Sequence, residues 1–210
     1  MEHTEAINEI LNALANCELY DLSDDNFYEC VVSSFKEKYH KPFQYDHGAT
    51  KGILIFKNYG FVIKIPFSNQ DGYDFIGADA VDNWNYCQAE EEKYIEAELN
   101  GLSACFAETK EIARVNNYPI YKQEYVTLFD CGTSSHTQAD VDKVNSLYED
   151  DECDCFNLEW QADVMNFFGE RIFQKLMHFI EDFNITDLHA SNLGYIGMRP
   201  VILDYSSFNE

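Results

Sequence analysis

Thr186-Asp187-Leu188-His189-Ala190-Ser191-Asn192, then a short strand pair and Val201-Ile202-Leu203-Asp204, is the stretch from which this chain is best read. An Asp, an Asn five positions later and a second Asp at the end of an apolar strand form the layout of a phosphoryl-transfer site. Such chemistry needs a carboxylate beside the attacking hydroxyl. It also needs hard oxygen ligands that hold Mg²⁺ against the phosphates of a nucleotide. Asp187 is the expected base, and Asn192 and Asp204 are the expected metal ligands. Among 38 acidic residues this spacing also fits an Asp-rich turn, so the order of the upstream elements decides.

Immediately upstream, residues 160–183 carry Val164, Phe167, Phe168, Ile172, Leu176, Phe179, Ile180 and Phe183 at helical spacing. The pattern predicts one long helix with a wide buried face, weakened or bent at Gly169. Residues 138–157 are acidic and fit helix or loop, and residues 131–137 read as a linker. Before them, residues 109–115 and 118–126 flank Asn116-Asn117 as a hairpin. Residues 86–99 predict a helix in which Glu90 lies on the apolar stripe with Tyr86, Tyr94 and Ala97. A carboxylate buried there needs a cation.

Further back, residues 43–46, 53–57 and 61–66 read as three antiparallel strands. Between the first two lies the small-residue turn His47-Gly48-Ala49-Thr50-Lys51-Gly52, and Asn58-Tyr59-Gly60 joins the last two. Lys64 sits within the apolar strand Phe61-Val62-Ile63-Lys64-Ile65-Pro66. Such a lysine either snorkels to solvent or points into a cleft to meet an anion. A loop rich in Gly, Asp and Asn spans residues 68–85. At the N-terminus, Ile7, Ile10, Leu11 and Leu14 predict a helix capped by Thr4. A second helix, starting near residues 23–25, presents Phe27, Val31, Val32 and Phe35 and stops at His40-Lys41-Pro42.

The composition, 46% hydrophobic over 210 residues, allows a sizeable core in one domain or two small lobes. Fourteen Lys and Arg against 38 Asp and Glu give a net charge of −24, which repels phosphate backbones and anionic lipids. Nucleic acid and membrane are thus not expected partners, and no stretch is apolar for long enough to span a bilayer. Seven cysteines, an odd number, and no secretory signal fit reduced thiols in a cytoplasmic setting. Cys153-Asp154-Cys155, inside the acidic run 149–155, lacks the further ligands a metal site would need.

Taken in order, these elements resemble the protein-kinase-like fold, which includes small-molecule kinases such as the aminoglycoside phosphotransferases. The similarity runs from Phe43 to Phe208. Phe61-Val62-Ile63-Lys64 looks like the V-A-I-K strand, Asp187 to Asn192 like the D-x-x-x-x-N part of the catalytic loop, and Leu203-Asp204-Tyr205-Ser206 like the D-F-G position. The resemblance implies an α+β, two-lobe architecture. A helical extension (1–42) would precede an N-lobe (43–130) with a five-stranded antiparallel sheet and one Glu-bearing helix. A reduced, mainly helical C-lobe (131–210) would follow.

It further implies an ATP- and Mg²⁺-dependent kinase acting on a hydroxyl of a protein or small molecule, with a nucleotide-binding pseudokinase of regulatory role as the alternative. Nucleotidyl transfer with the nucleotide reversed stays open. Lys64 would bind the phosphates and pair with Glu90, or with Glu91 if the helix is turned. Gly48 and Gly52 would admit the phosphates to the turn backbone. The backbone of Gln123, Glu124, Tyr125 and Val126 would meet adenine as the hinge.

The chain departs from the family at several points. The turn is not G-x-G-x-x-G, Ile185-Thr186 replaces His-Arg before the base, and Ser206 replaces the D-F-G glycine. His189 is similar to the Asp-Leu-His loops of small-molecule and atypical kinases. With six residues after Asp204, a peptide-docking lobe is not expected. The strong negative charge points to a basic protein or cationic small molecule as acceptor. Its association with the chain is expected to slow as salt rises from 10 to 500 mM in stopped-flow measurements, and a salt-independent rate would refute the steering.

Overall fold

The computed structural model describes residues 2–68, 85–129, 136–147 and 157–206. The expected loop at 69–84, most of the linker at 131–137 and the acidic run 149–155 with Cys153 and Cys155 lie outside them. The fold is α+β, and it divides into two compact units: Met1–Glu91 with Thr109–Tyr125, and Glu92–Glu108 with Val126–Glu210. No described helix is long and apolar enough to cross a membrane.

In the first unit, α1 (Glu2–Leu14) is followed by a π-helical turn (Tyr28–Ser33) that runs directly into α2 (Ser34–Lys38). Strands β1 (Gln44–His47), β2 (Lys51–Phe56), β3 (Phe61–Pro66), β4 (Thr109–Val115) and β5 (Tyr118–Glu124) form an antiparallel sheet in the order β1-β2-β3-β5-β4. The five expected strands are present. The β4–β5 connection places Asn116 at φ +53 and Asn117 at φ +67, the paired left-handed geometry of a tight hairpin that Asn tolerates well. Helix α3 (Tyr86–Leu99) contributes its first turns to this unit.

Strand alternation gives the sheet two unlike faces. Leu54 and Phe56 of β2 and Phe61, Ile63 and Ile65 of β3 form an apolar face, buried against Ile10 and Leu14 of α1 and against Phe27, Val31, Val32 and Phe35. Phe35 meets Phe43 edge-on at 4.9 Å, and Tyr39 meets Phe56 at 5.5 Å. The helices expected to pack as an extension over residues 1–42 share this unit's core. Helix α1 already includes Glu2, so Thr4 lies within its first turn and does not cap it.

The second unit holds the rest of α3, β6 (Thr127–Leu128), α4 (Gln138–Leu147), α5 (Leu158–Phe168), α6 (Glu170–Asp182), β7 (Leu193–Ile196) and β8 (Arg199–Ile202). The last two strands pair as expected and gain β6 on the far side of β7. The single helix expected over 160–183 is two. Gly169 takes φ +86 and ψ 158, a conformation open essentially to glycine alone, and its N–H caps α5 on Met165 O. This break resets the helical phase. Phe173, Leu176, Met177, Phe179 and Ile180 of α6 reach the core with Trp160, whereas Phe167 is 51% exposed.

Gly52 illustrates how tightly the first unit is packed. A Cβ added there would lie 2.1 Å from the Phe27 ring. Gly52→Ala is expected to destabilise the protein by about 1–3 kcal/mol in urea unfolding. In the Phe27→Ala background the same change should cost much less, because the two residues share one space.

Candidate functional site

Two constellations contain the residues singled out from the sequence, one in each unit. In the first, sheet register sets the arrangement. Lys64 pairs across β3–β5 with Tyr121, Val62 with Gln123, and Gln123 across β5–β4 with Thr109. Lys51 pairs with Pro66, two residues from Lys64. Lys51, Lys64, Gln123 and Thr109 thus share the face opposite the N-terminal helices.

Glu90 of α3 meets this face and is fully buried. Its Oε1 lies 2.5 Å from Lys51 Nζ and its Oε2 lies 2.6 Å from Lys64 Nζ. Thr109 Oγ1 donates to Oε2 at 2.9 Å, and Gln123 Nε2 donates to Thr109 Oγ1 at 2.7 Å and more weakly to Glu90 Oε2 at 3.4 Å. Both lysines are themselves buried, so Lys64 is an inward lysine rather than a snorkelling one.

Asn85 sets the helix in place. Its Oδ1 accepts the Gln88 N–H at 2.8 Å, which caps α3, while its Nδ2 donates to Tyr121 Oη at 3.2 Å. Burial pushes the Tyr121 phenol up, so it remains a neutral partner. Glu91, the alternative to Glu90, is engaged elsewhere: its Oε2 accepts the Glu111 N–H at 3.1 Å, next to the irregularity in β4.

The remaining residues assigned to a nucleotide fall into three situations. Gly48 has open space where a side chain would go, but the corresponding space at Gly52 is filled by Phe27. Gly52 is therefore required for core packing, whatever else it contacts. Gln123 turns its side chain into the Glu90 cluster, Glu124 pairs with Phe61, and the Tyr125 N–H donates to Gly60 O at 2.9 Å. The first unit ends at Tyr125 and the second resumes at Val126, inside the segment expected as a hinge.

The second constellation begins where α6 ends. Asn184, at φ +48, closes the helix: its N–H bonds to Glu181 O and the Ile185 N–H to Ile180 O, a Schellman arrangement. Ile185 and Leu188 are buried on either side of Asp187, whose side chain stays 42% exposed. A 3-10 turn, Ala190–Asn192, then brings Asn192 back toward Asp187. Asn192 Nδ2 lies 2.9 Å from Asp187 O and 3.2 Å from Asp187 Oδ2.

Asp204 is brought alongside by the backbone, because the Leu203 N–H donates to Asn192 O at 3.0 Å. Ser206 Oγ donates to Asp204 Oδ1 at 3.1 Å, which steadies the carboxylate. Tyr205 is buried against Phe106, with centroids 5.0 Å apart, and its hydroxyl donates to Ala107 O at 2.8 Å. Asp187, Asn192 and Asp204 lie in the same unit, with Asn192 in contact with Asp187 and Asp204 one residue beyond the backbone bond to Asn192.

Sequence reasoning missed Lys51, Thr109, the inward Gln123 side chain and Asn85. It also missed a half-buried contact in which Tyr195 Oη donates to Asp163 Oδ2 at 2.6 Å with His136 nearby. Lys51 carried only a faint signal, its place two residues before Ile53, because a lysine between a turn and a glycine is ordinarily solvated. Among the described residues no three His, Cys, Asp or Glu side chains converge as a metal-binding group. Burial pushes the Cys17 thiol to about 11 and the Cys105 thiol to about 12, which leaves both poor nucleophiles. A surface groove of about 850 Å³ lined by Glu5, Glu9, Asn12, Lys38, Lys41 and Tyr59 contains none of the residues above.

Glu90→Ala removes the carboxylate shared by two buried ammoniums and is expected to destabilise the first unit by about 3–5 kcal/mol in urea unfolding. Lys64→Met should cost less, because Lys51, Thr109 and Gln123 still engage Glu90; an equal or larger loss would overturn the shared-carboxylate account. No protein-family model matches the chain, and no curated protein matches its sequence.

Proposed function

We propose that the chain is an ATP- and Mg²⁺-dependent phosphotransferase of protein-kinase-like, two-lobe architecture, acting on a hydroxyl of a protein or small molecule. The observation that carries the proposal is the buried Lys64–Glu90 pair. A lysine in the third strand of an antiparallel sheet meets a glutamate from the following helix, the arrangement that positions a phosphate-binding lysine in kinases. Support also comes from Asp187, Asn192 and Asp204, which share one unit in the order and spacing such a catalytic loop requires.

The donor set fits a hard divalent cation. Asn192 directs its amide nitrogen at Asp187, which turns Oδ1 away from that contact, and Asp204 contributes a carboxylate. Both supply the oxygen ligands that Mg²⁺ prefers. Bound there with nucleotide, Mg²⁺ would neutralise phosphate charge. Lys64, held by Glu90, binds the phosphates of ATP. Asp187, partly exposed, accepts the proton of the acceptor hydroxyl as that oxygen bonds to the γ-phosphorus and the bond to ADP breaks.

Saturating ATP with Mg²⁺ is expected to raise the thermal midpoint by several degrees, since a ligand at 100 times its Kd contributes about 2.7 kcal/mol. ATP without Mg²⁺ should do far less. Asp204→Ala should remove most of the Mg²⁺ dependence. Asp187→Ala should keep binding and lose turnover by roughly 10²–10⁴-fold. Binding without turnover in the wild type would select the pseudokinase alternative, and no shift under either condition would sink both.

A further inference from the structure

His189 contacts Asp187, Asn192 and the backbone of Ser191 at once, and hydrogen counting assigns each contact. The Ser191 N–H donates to His189 Nδ1 at 3.2 Å. An imidazole nitrogen that accepts has no hydrogen of its own, so in the neutral ring the hydrogen is on Nε2. That nitrogen lies 3.3 Å from Asp187 Oδ1 and 3.3 Å from Asn192 Nδ2. Asn192 Nδ2 carries two hydrogens, and Asp187 O and Oδ2 account for both. The contact between the two nitrogens is therefore not a hydrogen bond, which leaves Asp187 Oδ1, 3.3 Å away, as the acceptor beside Nε2–H.

The geometry points to His189 as a positioning residue that orients Asp187 through its Nε2–H tautomer; this inference rests on the phosphotransferase reading above. Asp187 then receives His189 on Oδ1 and Asn192 on Oδ2, which opposes rotation of its carboxylate about the Cβ–Cγ bond. A carboxylate has about four lone-pair sites, so each oxygen keeps one for an acceptor hydroxyl. The backbone fixes the relay, because the Ser191 amide selects the tautomer and the tautomer supplies the donor. Without His189 the carboxylate would be held on one side only, and the near-attack geometry on which proton transfer depends would be sampled less often.

Two substitutions separate this role from simple support of the 3-10 turn. His189→Asn keeps an acceptor for the Ser191 N–H but cannot reach Asp187, whereas His189→Gln can place an amide donor near the position of Nε2. His189 is half-exposed, so both are expected to fold. For Mg-ATP turnover, the expected result is a kcat about tenfold or more below wild type for His189→Asn, with KM for Mg-ATP little changed, and substantial recovery in His189→Gln. Equal losses in the two variants, or a loss confined to KM, would overturn the inference.

A second measurement does not depend on turnover. ¹⁵N spectra of the histidine rings should show His189 as the Nε2–H tautomer, with its Nε2 signal displaced in Asp187→Asn. An Nδ1–H tautomer, or a signal indifferent to Asp187→Asn, would overturn the assignment. A wild type that turns over no ATP would refute the phosphotransferase reading and the catalytic consequence, while the spectrum still decides whether His189 donates to Asp187.

Discussion

A carboxylate removed from water is the constraint around which the first unit is organised. Glu90 is fully buried, and an ionised carboxylate in that position is tolerated only where cations and hydrogen-bond donors replace its hydration. Lys51 comes from β2, Lys64 from β3, Gln123 from β5 and Thr109 from β4, so four strands converge on one side chain of α3. Asn85 fixes the start of the helix and Glu90 fixes its rotation. One residue on, Glu91 points about 100° around the helix and finds a backbone N–H instead. The network defines which glutamate faces the sheet.

This polar face could be anticipated in outline because strands and helices leave different periodic traces. The short apolar run at residues 61–66, bounded by the turn Asn58-Tyr59-Gly60, put Lys64 in a strand, and the helical stripe through Tyr86, Glu90, Tyr94 and Ala97 isolated Glu90 from its acidic neighbours. The Asn-Asn turn announced the β4–β5 hairpin. Lys51 could not be recognised in the same way. It sits between a turn and a glycine, where a solvated lysine is the ordinary case, and its partner is 39 residues away. Gln123 was read for its backbone, but the β3–β5 register, invisible in one strand alone, turns its side chain inward.

Glycine was the least legible residue type. Gly52 reads as the small member of a phosphate-binding turn, yet its missing side chain admits Phe27, a residue 25 positions earlier in a different element. Gly169 reads as a weak point in a continuous helix, at a local cost of only about 1 kcal/mol. Its φ of +86 instead ends one helix and starts another, because burying both apolar faces requires a change of phase. In each case the decisive neighbour comes from tertiary packing. By contrast, the Asp187–Asn192 spacing is local: a 3-10 turn of this length returns the Asn amide to the Asp carbonyl and carboxylate, so the motif carries its own geometry.

The chain's charge bears on how such a site would operate. Fourteen cationic side chains serve the whole sequence, and two of them are buried on the one carboxylate. The exterior is correspondingly more negative, and at physiological ionic strength its field extends about 8 Å. A nucleotide approaching this protein would thus meet repulsion at long range, and attraction only on reaching Lys64 or a metal-lined Asp204. Affinity would then be governed by short-range contacts and bound cation rather than by steering. A cationic acceptor would experience the opposite: attraction by the same field before it contacted Asp187. On the proposed reading, one charge distribution would separate the two substrates physically, delaying the nucleotide until its charge is neutralised and drawing the acceptor in directly.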